Sequence, residues 1–207
     1  MPRSHLAAAL AALSLCAAPA ASQAFRLPAN LGPVAGNPAD ALESLPIDDE
    51  VYDPATHCNP APHKGVLAAL RWLPRHTNGV SWGTYRCEKW GPGSASLHAE
   101  ARAIDWHPDS RADAARLIEL LLAPDKDGNQ HALARRMGVE ELIWQCSYWG
   151  AGAPDFSNYD YCYDRNGKRK KHLNPTAAHM DHVHIGFSIK GSRGQTSFWK
   201  TTLAKQH

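Results

Sequence analysis

No two cysteines of this chain stand in a C-x-x-C pair. That absence excludes the usual thiolate zinc ribbon or finger, which needs closely spaced cysteine ligands. Beyond the first two dozen residues no apolar run approaches the roughly 20 residues of a membrane-spanning helix. Internal repeats and heptads are missing as well, which leaves out solenoids and coiled coils. An excess of one charge is also lacking. Lys and Arg number 22 against 20 Asp and Glu, so the basic face expected of a nucleic-acid protein has no source.

Residues 1–24 read as a secretory signal: Arg3 gives a positive start, Leu6 to Ala18 an apolar stretch, and Ser22-Gln23-Ala24 a small-residue cleavage site. The apolar stretch is short for an anchor and Pro19 interrupts its end. Lipidation at Cys16 is disfavoured by Leu15 before it. Without Arg3, 21 cations face 20 anions, a near-neutral exported chain. The remaining length suits one domain with a core. Residues 25–52 form a Pro-rich arm, and the folded domain is expected over 53–207.

Four cysteines then remain, Cys58, Cys87, Cys146 and Cys162. An even number in an exported chain favours disulfides. Three pairings are possible, and Cys58–Cys87 with Cys146–Cys162 close the shorter loops.

Apolar spacing predicts a helix over 64–73, ended by Pro74. Alternation predicts strands over 80–87, 101–106, 139–149 and 182–189. Ser110 is placed to cap a helix through Leu122, and Asn129 to cap a shorter one through Met137, stopped by Gly138. Residues 150–178 read as a polar loop, with the run Lys168 to His172 solvated. Of seven Trp, Trp72, Trp106 and Trp144 read as core; Trp82, Trp90 and Trp149 are candidates for a cleft, with packing as the default. Strands and helices interleave with connections of uneven length. This predicts a small α+β fold, an antiparallel sheet with helices packed on it.

The chemistry concentrates in SLHAEARAIDW (96–106) and MDHVHIGF (180–187). A catalytic zinc takes three protein ligands, commonly His and Asp or Glu, and keeps a position open. His182, His184 and Gly186 share one face of a strand, and Gly186 leaves space there. His98 and Asp105 cannot meet along a straight strand, where seven residues span more than ~20 Å. His98 must therefore sit on a turn that folds back over the strand carrying Asp105. A carboxylate in the apolar run Ala-Ile-Asp-Trp is costly unless paired or metal-bound. His107 is a weaker ligand candidate, His179 reads as a loop histidine, and Glu100 as an exposed or salt-bridged residue.

The pattern S-x-H-x(6)-D, followed far downstream by H-x-H, resembles the LAS metallopeptidases. These comprise lysostaphin-type endopeptidases, D-Ala-D-Ala peptidases and the related hedgehog signalling domains. The wording is most similar to the D-Ala-D-Ala carboxypeptidase and extensin-like group, over about 80–188. The resemblance implies a hedgehog/DD-peptidase-like fold and Zn2+ held by His98, Asp105 and His184. It implies His182 beside the metal and Asp181 as general base, where the peptidases carry a Glu. Arg86 matches a basic residue that stabilises the substrate carbonyl, and Ala101 stands where the family often has Gly. The expected protein is a monomeric, secreted or periplasmic zinc peptidase acting on stem peptides of cell-wall peptidoglycan, with no nucleic-acid partner and no stable membrane insertion. Two alternatives stay open: a non-catalytic metal-containing LAS-like domain that binds wall glycan or peptide, and a metal-free glycan-binding module using exposed Trp.

Overall fold

The computed structural model describes residues 44–61 and 63–204; the signal and most of the Pro-rich arm lie outside them. The fold is α+β. Helix α1 (Lys64–His76) leads into β1 (Gly79–Gly83), a small hairpin of β2 (Lys89–Gly91) and β3 (Ser94–Ala95), and a 3₁₀ turn, Leu97–Glu100. There follow β4 (Ala103–Pro108), α2 (Arg111–Leu122), α3 (Ala132–Met137), β5 (Val139–Trp144), β6 (Ser147–Gly150), β7 (Ser157–Asn158), a second 3₁₀ turn, Asp160–Cys162, and β8 (Val183–Phe187). Helices α4 (Ile189–Ser192) and α5 (Ser197–Ala204) close the described chain. The main sheet has six strands in the order β1-β4-β8-β5-β6-β7, every neighbour antiparallel.

One face of the sheet builds the core. Ile104 and Trp106 of β4, Leu142 and Trp144 of β5, and Val183, Ile185 and Phe187 of β8 pack with Trp72 of α1, Leu117 and Ile118 of α2, Met137 of α3 and Trp199 of α5. Trp149 joins this core, whereas Trp82 and Trp90 are exposed. A smaller cluster of Ala55, Ala95, Leu97, Ala99 and Ala103 seats the first 3₁₀ turn.

Helix α2 begins as its cap predicts, with the Ser110 side chain accepting from the Asp113 N–H. Other boundaries differ. Pro74 lies inside α1, which ends two residues later; Thr77 then donates its N–H and its hydroxyl to the Leu73 carbonyl. The cap of α3 is His131, because Asn129 bonds back to Asp125. The expected strand over 139–149 is a hairpin: Gln145 and Cys146 both have left-handed φ, 51° and 63°, and join β5 to β6. The expected strand over 80–87 stops at Gly83, and residues 84–88 leave the sheet to wrap the 3₁₀ turn, the Arg86 N–H donating to the His98 carbonyl.

Both disulfides pair as the shorter loops predict, Cys58–Cys87 and Cys146–Cys162. Loop closures of 29 and 16 residues stabilise by about 3–4 kcal/mol each on the chain-entropy account. Among the described residues no helix is long and apolar enough to cross a membrane.

Residues 44–56 dock on the domain. Arg102, buried at 2% exposure, donates to Glu100 (2.9 Å), Glu140 (2.9 Å) and the Asp53 carbonyl (2.6 Å). Asp53 N–H returns a bond to Glu140 at 2.7 Å, and Thr56 N–H donates to Glu100. Glu100 is thus a buried salt-bridge partner of Arg102, not an exposed residue. Burial pushes the Glu140 carboxyl up to about 7 against the pull of Asp53 N–H and Arg102.

A candidate metal centre

The 3₁₀ turn supplies the fold-back that His98 requires. Ser96 caps it by accepting from His98 N–H, and Ala101 takes left-handed φ of 52° to reverse the chain into β4. That conformation suits Gly and costs an L-residue about 1–2 kcal/mol; the packing around Ala101 holds it. On β4 and β8, Asp105 lies directly across from His184, and His184 across from Ile143 of β5. Gly186 opposes Glu141 two residues along. A Cβ on Gly186 would lie 2.3 Å from Leu97 Cδ1. The room it leaves is filled by Leu97, the neighbour of His98, so this glycine seats the turn on the sheet.

His98 Nε2 lies 2.9 Å from Asp105 Oδ1 and 3.0 Å from His184 Nδ1; His184 Nδ1 lies 3.3 Å from Asp105 Oδ1. These are edge lengths of a small triangle, close to the ~3.4 Å between ligands of a four-coordinate ion with bonds near 2.1 Å. The outward nitrogens are tied. His98 Nδ1–H donates to the Thr84 carbonyl at 3.1 Å, which leaves the Nε2 lone pair facing inward. His184 Nε2 meets Glu141 Oε1 at 2.9 Å, an ionic contact not aligned as a hydrogen bond. Oxygen partners behind inward-facing imidazoles are the setting that orients metal ligands. The buried donors His98, Asp105 and His184 could together hold a metal ion.

The electrostatics match an electron-rich pocket. Burial alone would raise the Asp105 carboxyl, yet His182, His184 and His98 hold it far below the carboxylate range. Burial lowers His98. Burial would also lower His184, but Asp105 and Glu141 outweigh it and raise this imidazole to about 9. A proton and a cation compete for the same nitrogen, so metal binding here releases a proton.

The other expected residues converge on the same place. His182 Nε2 lies 3.3 Å from Asp105 Oδ1, and its Nδ1 lies 2.7 Å from Asp181 Oδ1. The second Asp181 oxygen accepts from Thr176 at 2.6 Å. Both carboxylate oxygens are therefore engaged, one of them on His182. Arg86 is half-exposed, pairs with Glu88 at 3.1 Å and reaches Asp105 Oδ2 at 3.5 Å. His107 belongs to no metal-ligating group among the described residues; its ring lies flat under Trp82 at 4.2 Å and its Nδ1–H faces the Asp181 carbonyl.

Two residues enter that the sequence did not single out for chemistry. His179 is not a solvated loop residue but is buried at 8% exposure, its ring 4.7 Å from that of His182. The short spacing His179-x-x-His182-x-His184 was its available signal. Glu141, whose second oxygen accepts from the Tyr52 hydroxyl at 3.4 Å, had none: only the pairing of β5 with β8 brings it to His184.

Comparison with family models, with curated proteins and with solved structures finds no match to this chain.

Proposed function

We propose that this protein is an exported zinc-dependent peptidase that hydrolyses peptide bonds of cell-wall peptidoglycan, the activity its motifs share with the LAS peptidases. The observation that supports it most is the convergence of His98, Asp105 and His184 from a turn and two adjacent strands, with the hydrogen-bonded pair His182–Asp181 alongside. His and carboxylate donors suit zinc, and a zinc ion held there supplies Lewis-acid polarisation of a carbonyl and an activated water.

The chain's own groups complete the chemistry. Asp181 accepts from His182 Nδ1–H, fixes the tautomer and leaves the Nε2 lone pair facing the centre. His182 Nε2 takes the proton from the attacking water and later passes it to the leaving amine. Asp181 acts through His182, as an orienting carboxylate does behind a catalytic imidazole. Arg86 is placed at the rim, where its guanidinium steadies the charge that develops on the carbonyl oxygen. The two disulfides fit an exported protein.

The test is turnover of muropeptides by the zinc-loaded protein beside His182→Ala and Asp181→Ala. Both variants are expected to keep zinc, with turnover falling ~10²-fold or more for His182→Ala and less for Asp181→Ala. A wild-type protein that binds zinc and wall fragments without cutting them overturns the peptidase reading in favour of a non-catalytic wall-binding domain.

A further inference from the structure

The imidazoles of the cluster outnumber what one zinc site uses. His98 and His184 complete the first triad. His179 and His182 form, with Asp105, a second set of three donor atoms within 4.8 Å of one another. We propose that Asp105, His179 and His182 are a second, weaker position for a divalent cation, sharing the Asp105 carboxylate with the first. The inference rests on the first site being a metal centre and extends it to a second ion and its consequence.

Three observations carry it. His182 Nε2 faces Asp105 Oδ1 at 3.3 Å while its Nδ1 is tied to Asp181, the same outward tie that orients the first triad. His179 is more than nine-tenths buried, and its Nδ1 has no hydrogen-bond partner. A buried polar atom without a partner costs about 1–3 kcal/mol, a cost that a cation bound through that nitrogen removes. The backbone is also committed to presenting this ring. His179 has left-handed φ of 51°, and its carbonyl accepts from Gln145 N–H at 2.8 Å while that of Ala178 accepts from Cys146 N–H at 3.1 Å. The tight β5–β6 turn, anchored by the Cys146–Cys162 disulfide, thus fixes His179 against the cluster.

The second position is the weaker for two reasons. It shares a carboxylate that the first ion already neutralises, and it is completed by a loop histidine, His179, where the first has His184 on strand β8. A cation here also takes the Nε2 lone pair that His182 needs as a base. Filling the second position therefore switches the centre off, and zinc above one equivalent is inhibitory.

Zinc titration of the chelator-stripped protein, followed by equilibrium dialysis and elemental analysis, tests the assignment. Wild type is expected to take up one tight equivalent and a second, at least ~10-fold weaker. His179→Asn, chosen because Asn tolerates left-handed φ, is expected to keep the first and lose the second. A single equivalent in wild type, or a second one unchanged in His179→Asn, overturns the second site and leaves the first standing. No bound zinc in wild type overturns the first site and the second with it. A measurement on wild type alone guards against a variant that fails to fold: with Co2+ at full loading, spin coupling between the two ions supports the shared carboxylate, and two uncoupled signals overturn it.

Discussion

Ile104 and Asp105 are neighbours on β4, and their side chains leave opposite faces of the sheet. On the Ile104 face β4, β5 and β8 meet helices through aliphatic and aromatic side chains. On the Asp105 face the same strands carry a carboxylate, imidazoles and Glu141 around a buried centre. The first face supplies the stability that makes the second tolerable. Desolvated ionisable groups are costly, and here they are held by strands whose other side is packed.

The comparison can be broken from the apolar side, where the largest effect is expected. Ile104→Ala removes a fully buried side chain and should cost about 2–5 kcal/mol in denaturant unfolding. The folded variant should bind zinc as wild type does. A weakened zinc affinity in folded Ile104→Ala would show that the two faces are not separable.

The polar side gives a smaller change of a different kind. Glu141→Gln keeps the shape beside His184 but removes the charge that faces its Nε2. Zinc affinity, measured by competition with a chelator, should fall about 10–100-fold. Unaltered affinity would mean that Glu141 does not orient the ligand.

A charged cluster on the helix side sharpens the contrast, because its role is structural. Asp113 accepts from Ser110, Asn78 and Arg116, and the Ser110 bond first, then Asn78 and Arg116, hold its carboxyl below the ordinary 3.8. A depressed carboxylate stabilises above its unfolded value and loses that contribution as pH falls through the folded one. Asp113→Asn should therefore cost about 1–2 kcal/mol, evenly from pH 7 to near 4, and the deficit should shrink below 3.8. A deficit that persists in acid would place its origin in packing instead.

Much of the fold is legible in the sequence because the signals are local. Ser110 caps α2, Gly138 ends α3 with φ of 71°, and the disulfides follow the shorter loops. The grouping of His98, Asp105 and His184 is legible through the family resemblance of the motifs that carry them, and the fold-back it demands is provided by Ala101. What escapes is set by tertiary structure. Gln145 and Cys146 turn tightly without the Asn-Gly or Gly residues that usually mark such a hairpin, because a disulfide and the 178–179 carbonyls hold them. Glu141 reaches the centre through strand pairing, and His179 is buried by a loop that looks solvated in composition. The chain leaves β8 at Ser188, which caps α4, two residues short of the expected strand end.

The most direct test of a shared cation is the zinc content of the purified protein beside His98→Ala. The account predicts zinc in wild type and its loss when the 98 imidazole, one of the three ligands, is removed. Equal zinc in the two proteins would contradict it.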